Sequence, residues 1–440
     1  MTKHTMIAAA STVWLAAACG GGPPRQAQAP PPDMNPIAER YVKLVLALGQ
    51  HDADYVDAYY GPPEWRKEAE ATKLPLDEIV TRARTLLAEL EGAASPSAAD
   101  EELVVLRHRY LQKQIASLSS RAAMLAGARL SFDEESQALY DAVAPTLDEA
   151  HFEQILSRLE ARLPGKGPLV DRWDAYRSAF VIPAAKLDAV FRAAIDECRR
   201  RTLDQIELPD TESFTVEYVT KKPWSAYNWY QGQFRSVIQV NTDLPVYVDR
   251  AIDLACHEGY PGHHVYNALL EGHLVRDRGW IEYSVYPLFS PQSLIAEGTA
   301  NFGIDVAFPG NERVAFEKTA LFPLAGLDAS RAAEYGEVVR LVEELAYARN
   351  EAARRFQNGA IDRAAAIAWL ERYAMMPGPR AEQSLRFIER YGAYVINYNL
   401  GKDLVKAYVE KHGGTVDQPL FRWREFERLI SSPRLPSGLR

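Results

Sequence analysis

The chain has 440 residues, 47% of them hydrophobic and 25% charged, which is globular composition with enough apolar material for a large core in one or two domains. A formal net charge of −9 argues against a nucleic-acid partner, because neutralising phosphates takes a basic surface. Acidity alone assigns no substrate.

The N-terminus reads as a secretory signal over residues 1–18. Lys3 precedes an apolar run from about Met6 to Ala18 that is too short to span a bilayer comfortably. Ala16, Ala17 and Ala18 before Cys19 resemble a bacterial lipobox, with Leu15 one place early; the cysteine would then carry the lipid. Residues 19–36 are rich in Gly, Pro and Gln and read as a tether. Together these predict a body held on the periplasmic side of a membrane through Cys19, with plain secretion as the alternative. Only Cys198 and Cys256 remain, which is no disulfide framework; they could pair in an oxidising compartment.

From 37 to 440 no segment looks like an interdomain linker, and one mainly α body is expected. "IAERYVKLVLALG" puts Ile37, Tyr41, Leu44, Val45 and Leu48 on one helical stripe, and "LDEIVTRARTLLAELEG" and "HFEQILSRLEARL" repeat the pattern. "SFTVEYV" and "RSVIQVN" are short, β-branched and aromatic and predict two strands. Trp224, Tyr227, Trp229 and Tyr230 lie between them, as packing or as a cleft wall. The strand at 235–241 is a candidate for pairing with an extended peptide. A helix should then start near Asp243, with Pro245 in its first turn. Beyond 290 the pattern is helical again, including one long helix over "AAEYGEVVRLVEELAYARNEAARRFQ" and another over "SLRFIERYGAYVINYNLGKDLVKAYVEKHG".

The stretch "AIDLACHEGYPGHHVYNALLEG", residues 251–272, carries the chemistry. A zinc helix usually places its second histidine four residues after the first, so that both imidazoles reach one ion at about 2.0–2.1 Å. Here His257 and Glu258 are followed by Pro261 at that place, and by His263 and His264. In a straight helix an i+6 side chain points roughly 120° away and an i+7 side chain is displaced by about 10 Å, so neither could share a metal with His257. Pro261, however, cannot donate to the carbonyl of residue 257, and Gly262 adds backbone freedom. A local bulge would return His263 to the missing position. The bland alternative is a helix ending at Tyr260 and a surface turn. A catalytic zinc needs three protein ligands and an open position. Glu297, a lone carboxylate among Ala296, Gly298 and Ala300, is the third candidate.

His-Glu-x-x-Pro-Gly-His-His followed by Glu-Gly in a later helix resembles the bacterial family known as domain of unknown function 885, grouped with the gluzincin zinc metallopeptidases. The resemblance covers about 37–440 and is specific at 257–264 and 297–298. It implies a helical peptidase fold with a deep cleft, one Zn²⁺ held by His257, His263 and Glu297, and Glu258 as catalytic acid/base. Tyr398 and Gly401 match the family's C-terminal Tyr-x-x-Gly, although the preceding Pro-Gly-Gln-Ala is absent and Thr299 replaces a frequent tryptophan. The family leans on the first histidine of the pair, here His263, with His264 as the alternative second ligand. Tyr398 is the candidate oxyanion donor. The expected activity is hydrolysis of a peptide bond. Two alternatives stay open: a non-catalytic lipoprotein with a structural metal closed by His264 or Cys256, and hydrolysis of another amide or ester.

Overall fold

The computed structural model describes residues 33–92, 96, 101–222 and 224–440. The expected signal segment, the lipidation site Cys19 and most of the tether lie outside the described residues. The body starts slightly earlier than Ile37, because Met34 is buried and the first helix is Asn35–Leu48. The fold is mainly α, as the periodicities predict. Ile79, Ala83, Leu86 and Leu90 line the buried face of Leu76–Gly92, and Phe152, Ile155, Leu156 and Leu159 that of Glu149–Arg162.

The β content is larger than two strands. A two-stranded antiparallel ribbon pairs β1 (Val56–Tyr59) with the later β5 (Val285–Pro287), with an irregular register between Val56 and Ala58. A three-stranded sheet contains β2 (Ser213–Val219), β3 (Ala226–Gly232) and β4 (Arg235–Asn241) in the order β2-β4-β3. The aromatic segment expected to link two strands is therefore itself a strand. It alternates: Tyr227 and Trp229 pack at a tilt on the outer face with centroids 4.6 Å apart, while Tyr230 turns inward and donates to Glu271 Oε2. This order overturns the peptide-pairing expectation for 235–241. β4 is the central strand, parallel to β2 and antiparallel to β3, so both its edges are taken.

Three helix predictions also need correction. The helix expected from Asp243 begins at Val248, because Val246 O and Val248 N bond Ile182 N and Phe180 O and hold the preceding residues extended. The long helix over 332–357 is two, Ala332–Glu343 and Ala348–Gln357. No Gly or Pro marks that break; Asn399 Nδ2 takes the Ala346 carbonyl and Tyr347 OH bonds Asp403, so tertiary partners replace helical ones. The last long segment breaks at Gly392, at φ +54°, into Gly378–Tyr391 and Ile396–Lys411 joined by a 3₁₀ turn.

Helix Pro291–Ala307 lies against Ile396–Lys411 at very close range. A Cβ on Gly298 would be 2.5 Å from the Gly401 carbonyl carbon, and one on Gly401 would be 2.7 Å from Leu294 O. The two glycines thus set the distance between the helix that carries Glu297 and the segment that carries Tyr394 and Tyr398. Overpacking such a contact costs about 1–3 kcal/mol. Gly298→Ala should lower the urea-unfolding free energy by that order, whereas Gly438→Ala, where an added Cβ meets nothing, should be near neutral.

Candidate metal centre

The segment that bears the two histidines is not a regular helix. Helix Val248–Leu254 widens into a π turn over Ala255–Gly259, the chain leaves helical geometry at Tyr260–Gly262, and a new helix runs His263–Leu270. Gly262 N bonds the Cys256 carbonyl at 2.9 Å. A Cβ on Gly262 would overlap the carbonyl oxygens of Cys256 and His257, so only glycine allows this return of the chain. The result is that the His257 and His263 rings meet edge to face, with centroids 4.7 Å apart.

Three strands hold this segment in place, each by a different side chain. From β3, Asn228 Nδ2 donates to the Glu258 carbonyl at 2.7 Å. From β4, the Ser236 hydroxyl meets His264 Nδ1 at 2.9 Å. From β2, the Phe214 ring packs on Tyr260 and His264, with centroids 5.2 and 5.3 Å away. Just before β2, Glu212 accepts from Arg199 Nη2 at 2.7 Å, Tyr260 OH at 2.5 Å and His264 Nε2 at 2.9 Å. Both ring nitrogens of the fully buried His264 are therefore committed, Nε2 as donor to Glu212 and Nδ1 as acceptor from Ser236. Cys256 is bonded to Cys198, which ties the π turn to helix Leu187–Leu203.

His257, His263 and Glu297 come together as one donor cluster. His257 Nε2 is 3.1 Å from His263 Nε2 and 3.2 Å from Glu297 Oε2, and His263 Nε2 is 3.8 Å from Glu297 Oε2. Tetrahedral ligands at 2.0–2.1 Å from zinc stand roughly 3.3–3.4 Å from one another, so the three separations bracket what one ion requires. Glu297 Oε1 accepts from Tyr394 OH at 2.8 Å, while Oε2 is buried without a hydrogen-bond partner. A buried carboxylate oxygen left unpaired beside two imidazole nitrogens is the chemistry of a cation site. Among the described residues no fourth His, Cys, Asp or Glu joins the cluster.

The electrostatics follow from burial and these contacts. Burial and the adjacent His257 push His263 down to about 4, which leaves its lone pair available at neutral pH. Burial opposes charge on His257, but contact with Glu297 and the nearby Glu258 outweigh it and raise it. Burial would raise Glu297, yet His257, His263 and Tyr394 hold it below the usual carboxyl range. Glu258 is pushed up to about 7, chiefly by burial, with His257 opposing and Glu297 adding to the rise.

No protein-family model matches the chain, and no curated protein does. Solved structures to which the chain is similar include a provisionally assigned lipoprotein from Colwellia psychrerythraea, 16% identical over 91% of this chain and 74% of that one, TM-score 0.49. They also include a lipoprotein of unknown function, again provisionally assigned, from Shewanella oneidensis (12% identity, 90% and 82% coverage, TM-score 0.44) and Trypanosoma cruzi metallocarboxypeptidase 1 (14%, 90% and 91%, TM-score 0.42).

Two residues at the centre escaped the sequence reading. Asp57 stands at the irregular register of β1; its Oδ1 is buried and unpaired, and burial with the nearby Glu297 and Glu258 raises it well above the usual carboxyl range. Nothing in "DADYVDAYY" separates it from a surface aspartate. Tyr394 bonds Glu297, whereas Tyr398 packs 5.8 Å from Tyr394, and its hydroxyl bonds no described residue.

Glu212 gives a pH test of the scaffold. Burial opposes its charge, but His264, Tyr260 and Arg199 win and bring it to about 2, below its ordinary 4.5. A depressed carboxyl stabilises the fold above the unfolded value and loses that contribution as pH falls toward the folded one. The stability gap between the wild type and Glu212→Gln should therefore be full at pH 7 and shrink between about pH 4.5 and 2; a gap that ignores pH would contradict the hub role.

Proposed function

We propose that this chain is a zinc-dependent hydrolase of peptide bonds, with His257, His263 and Glu297 as metal ligands. One observation carries the reading: three donors converge, and the neighbours that could close the site as a structural one are engaged elsewhere, Cys256 in a disulfide and His264 on Glu212 and Ser236. A structural zinc takes four protein ligands, while a catalytic one keeps a position open. A zinc ion held by these three residues would supply a Lewis acid and would draw the pKa of a water toward about 7.

The chain's own groups do the rest. Glu258 adjoins the first ligand, its backbone is fixed by Asn228, and its carboxylate accepts no hydrogen bond from a described residue. At about 7 it can take the proton of an attacking water and return it to the leaving amine. Burial, reinforced by Glu297, raises Tyr398 well above the usual phenol range, so it stays a donor, and its free hydroxyl suits a developing oxyanion. Tyr394 orients Glu297 and is committed to it.

No described helix is long and apolar enough to cross a membrane. The signal-like N-terminus and the Cys198–Cys256 disulfide support an oxidising compartment, so we place the body on the periplasmic side, tethered through Cys19.

Glu258→Gln should keep zinc, read by metal analysis, and lower kcat on a mixed peptide library by about 10²-fold or more. His257→Ala should lose the ion itself. Activity that survives Glu258→Gln would refute the mechanism.

A further inference from the structure

Among the described residues, Arg349 stands near the ligand set with no counter-charge of its own. Arg250, which the site histidine and Glu258 also feel, is neutralised by Asp253 at 2.7 Å. Arg349 makes no ion pair with any described residue, and its Nε is buried without a hydrogen-bond partner. Its guanidinium lies 4.6 Å from the Phe387 ring and 5.8 Å from the Tyr398 ring. Both rings belong to the aromatic cluster of Tyr394, at 6.1 and 5.8 Å, whose hydroxyl holds Glu297. The break at 344–347, fixed by Asn399, starts the helix that presents Arg349 here. The residue is half-buried, and of its side-chain nitrogens only Nε is sealed without a partner.

A desolvated arginine with no carboxylate is costly unless something supplies one. Its planar fork matches a carboxylate bidentately, and the Phe387 and Tyr398 rings lie within cation–π range of it. Burial lowers Arg349 from its ordinary value, while Tyr398 and Glu297 act against that, which agrees with a cation close to the ligand set and short of negative charge.

We propose that Arg349 is a specificity-determining residue that binds a carboxylate of the substrate. That carboxylate is either the peptide's C-terminus or an acidic side chain near the bond to be cut. The inference rests on the hydrolase reading for the bond that is cut, but its test is a binding measurement.

Three pools of N-acetylated tripeptides serve as probes: free C-termini, C-terminal amides, and amides that contain one glutamate. Each is mixed with the Glu258→Gln chain, and retention on ultrafiltration is read by mass spectrometry. A carboxylate pool should be retained about tenfold or more over the plain amides, the first pool marking a C-terminal subsite and the third a side-chain subsite. Arg349→Gln should bring that pool down to the amide level, with zinc content unchanged, and Arg349→Lys should recover part of it. Equal retention of all three pools, or a preference that survives Arg349→Gln, overturns the proposal. The contrast between pools on the Glu258→Gln chain stands even where Arg349→Gln fails to fold. A carboxylate preference in a chain whose wild type cleaves nothing leaves the subsite standing and removes the hydrolase reading; cleavage of acids and amides alike does the reverse.

Discussion

The break at Tyr260–Gly262 is the constraint on which the centre depends. In a regular helix the rings of His257 and His263 point apart; here they stand with Nε2 atoms 3.1 Å from each other. The device is built from backbone chemistry. A π turn advances the first ring, Pro261 removes a donor, and Gly262 admits two carbonyl oxygens where any side chain would collide. What makes the irregular backbone a single conformation is the scaffold behind it: Asn228, Ser236 and Phe214, one from each strand of the sheet, and Glu212 beneath His264. The small β element therefore has a structural purpose out of proportion to its size.

The twin histidines show how neighbouring identical residues are given different tasks. His264 is sealed and has a partner on each nitrogen, which fixes its tautomer and leaves it nothing to coordinate with. His263, one residue earlier, keeps Nε2 turned toward His257 and Glu297. Burying Glu258, Glu297 and Asp57 near one another is unfavourable in an apolar interior; the raised Glu258 and Asp57 relieve it by holding a proton more readily, and a cation between the histidines would relieve it further.

Much of this was legible in the sequence, for physical reasons that can be named. Helical stripes such as Ile79, Ala83, Leu86 and Leu90 follow from periodicity, and the strands 213–219 and 235–241 from β-branched residues between turn formers. The convergence of His257, His263 and Glu297 could be anticipated because Pro-Gly forbids a straight helix and Glu297 lies among residues too small to shield it. Partners set by tertiary structure were not legible. Sheet order, which makes 235–241 central, depends on a strand read as a linker. The interruption at 344–347 has no breaker residue and exists because Asn399 and Asp403 compete for its groups. Asp57 and Arg349 look like ordinary surface residues until the fold seals Asp57 Oδ1 and Arg349 Nε from water, and Glu212 becomes a hub only when Arg199, Tyr260 and His264 converge on it.

The most direct test is a crystal of residues 33–440 grown with zinc and measured across the zinc absorption edge. The account predicts one anomalous peak bonded to Nε2 of His257, Nε2 of His263 and Oε2 of Glu297, with His264 still on Glu212. No peak at that point, or an ion bound to His264 instead, would contradict it.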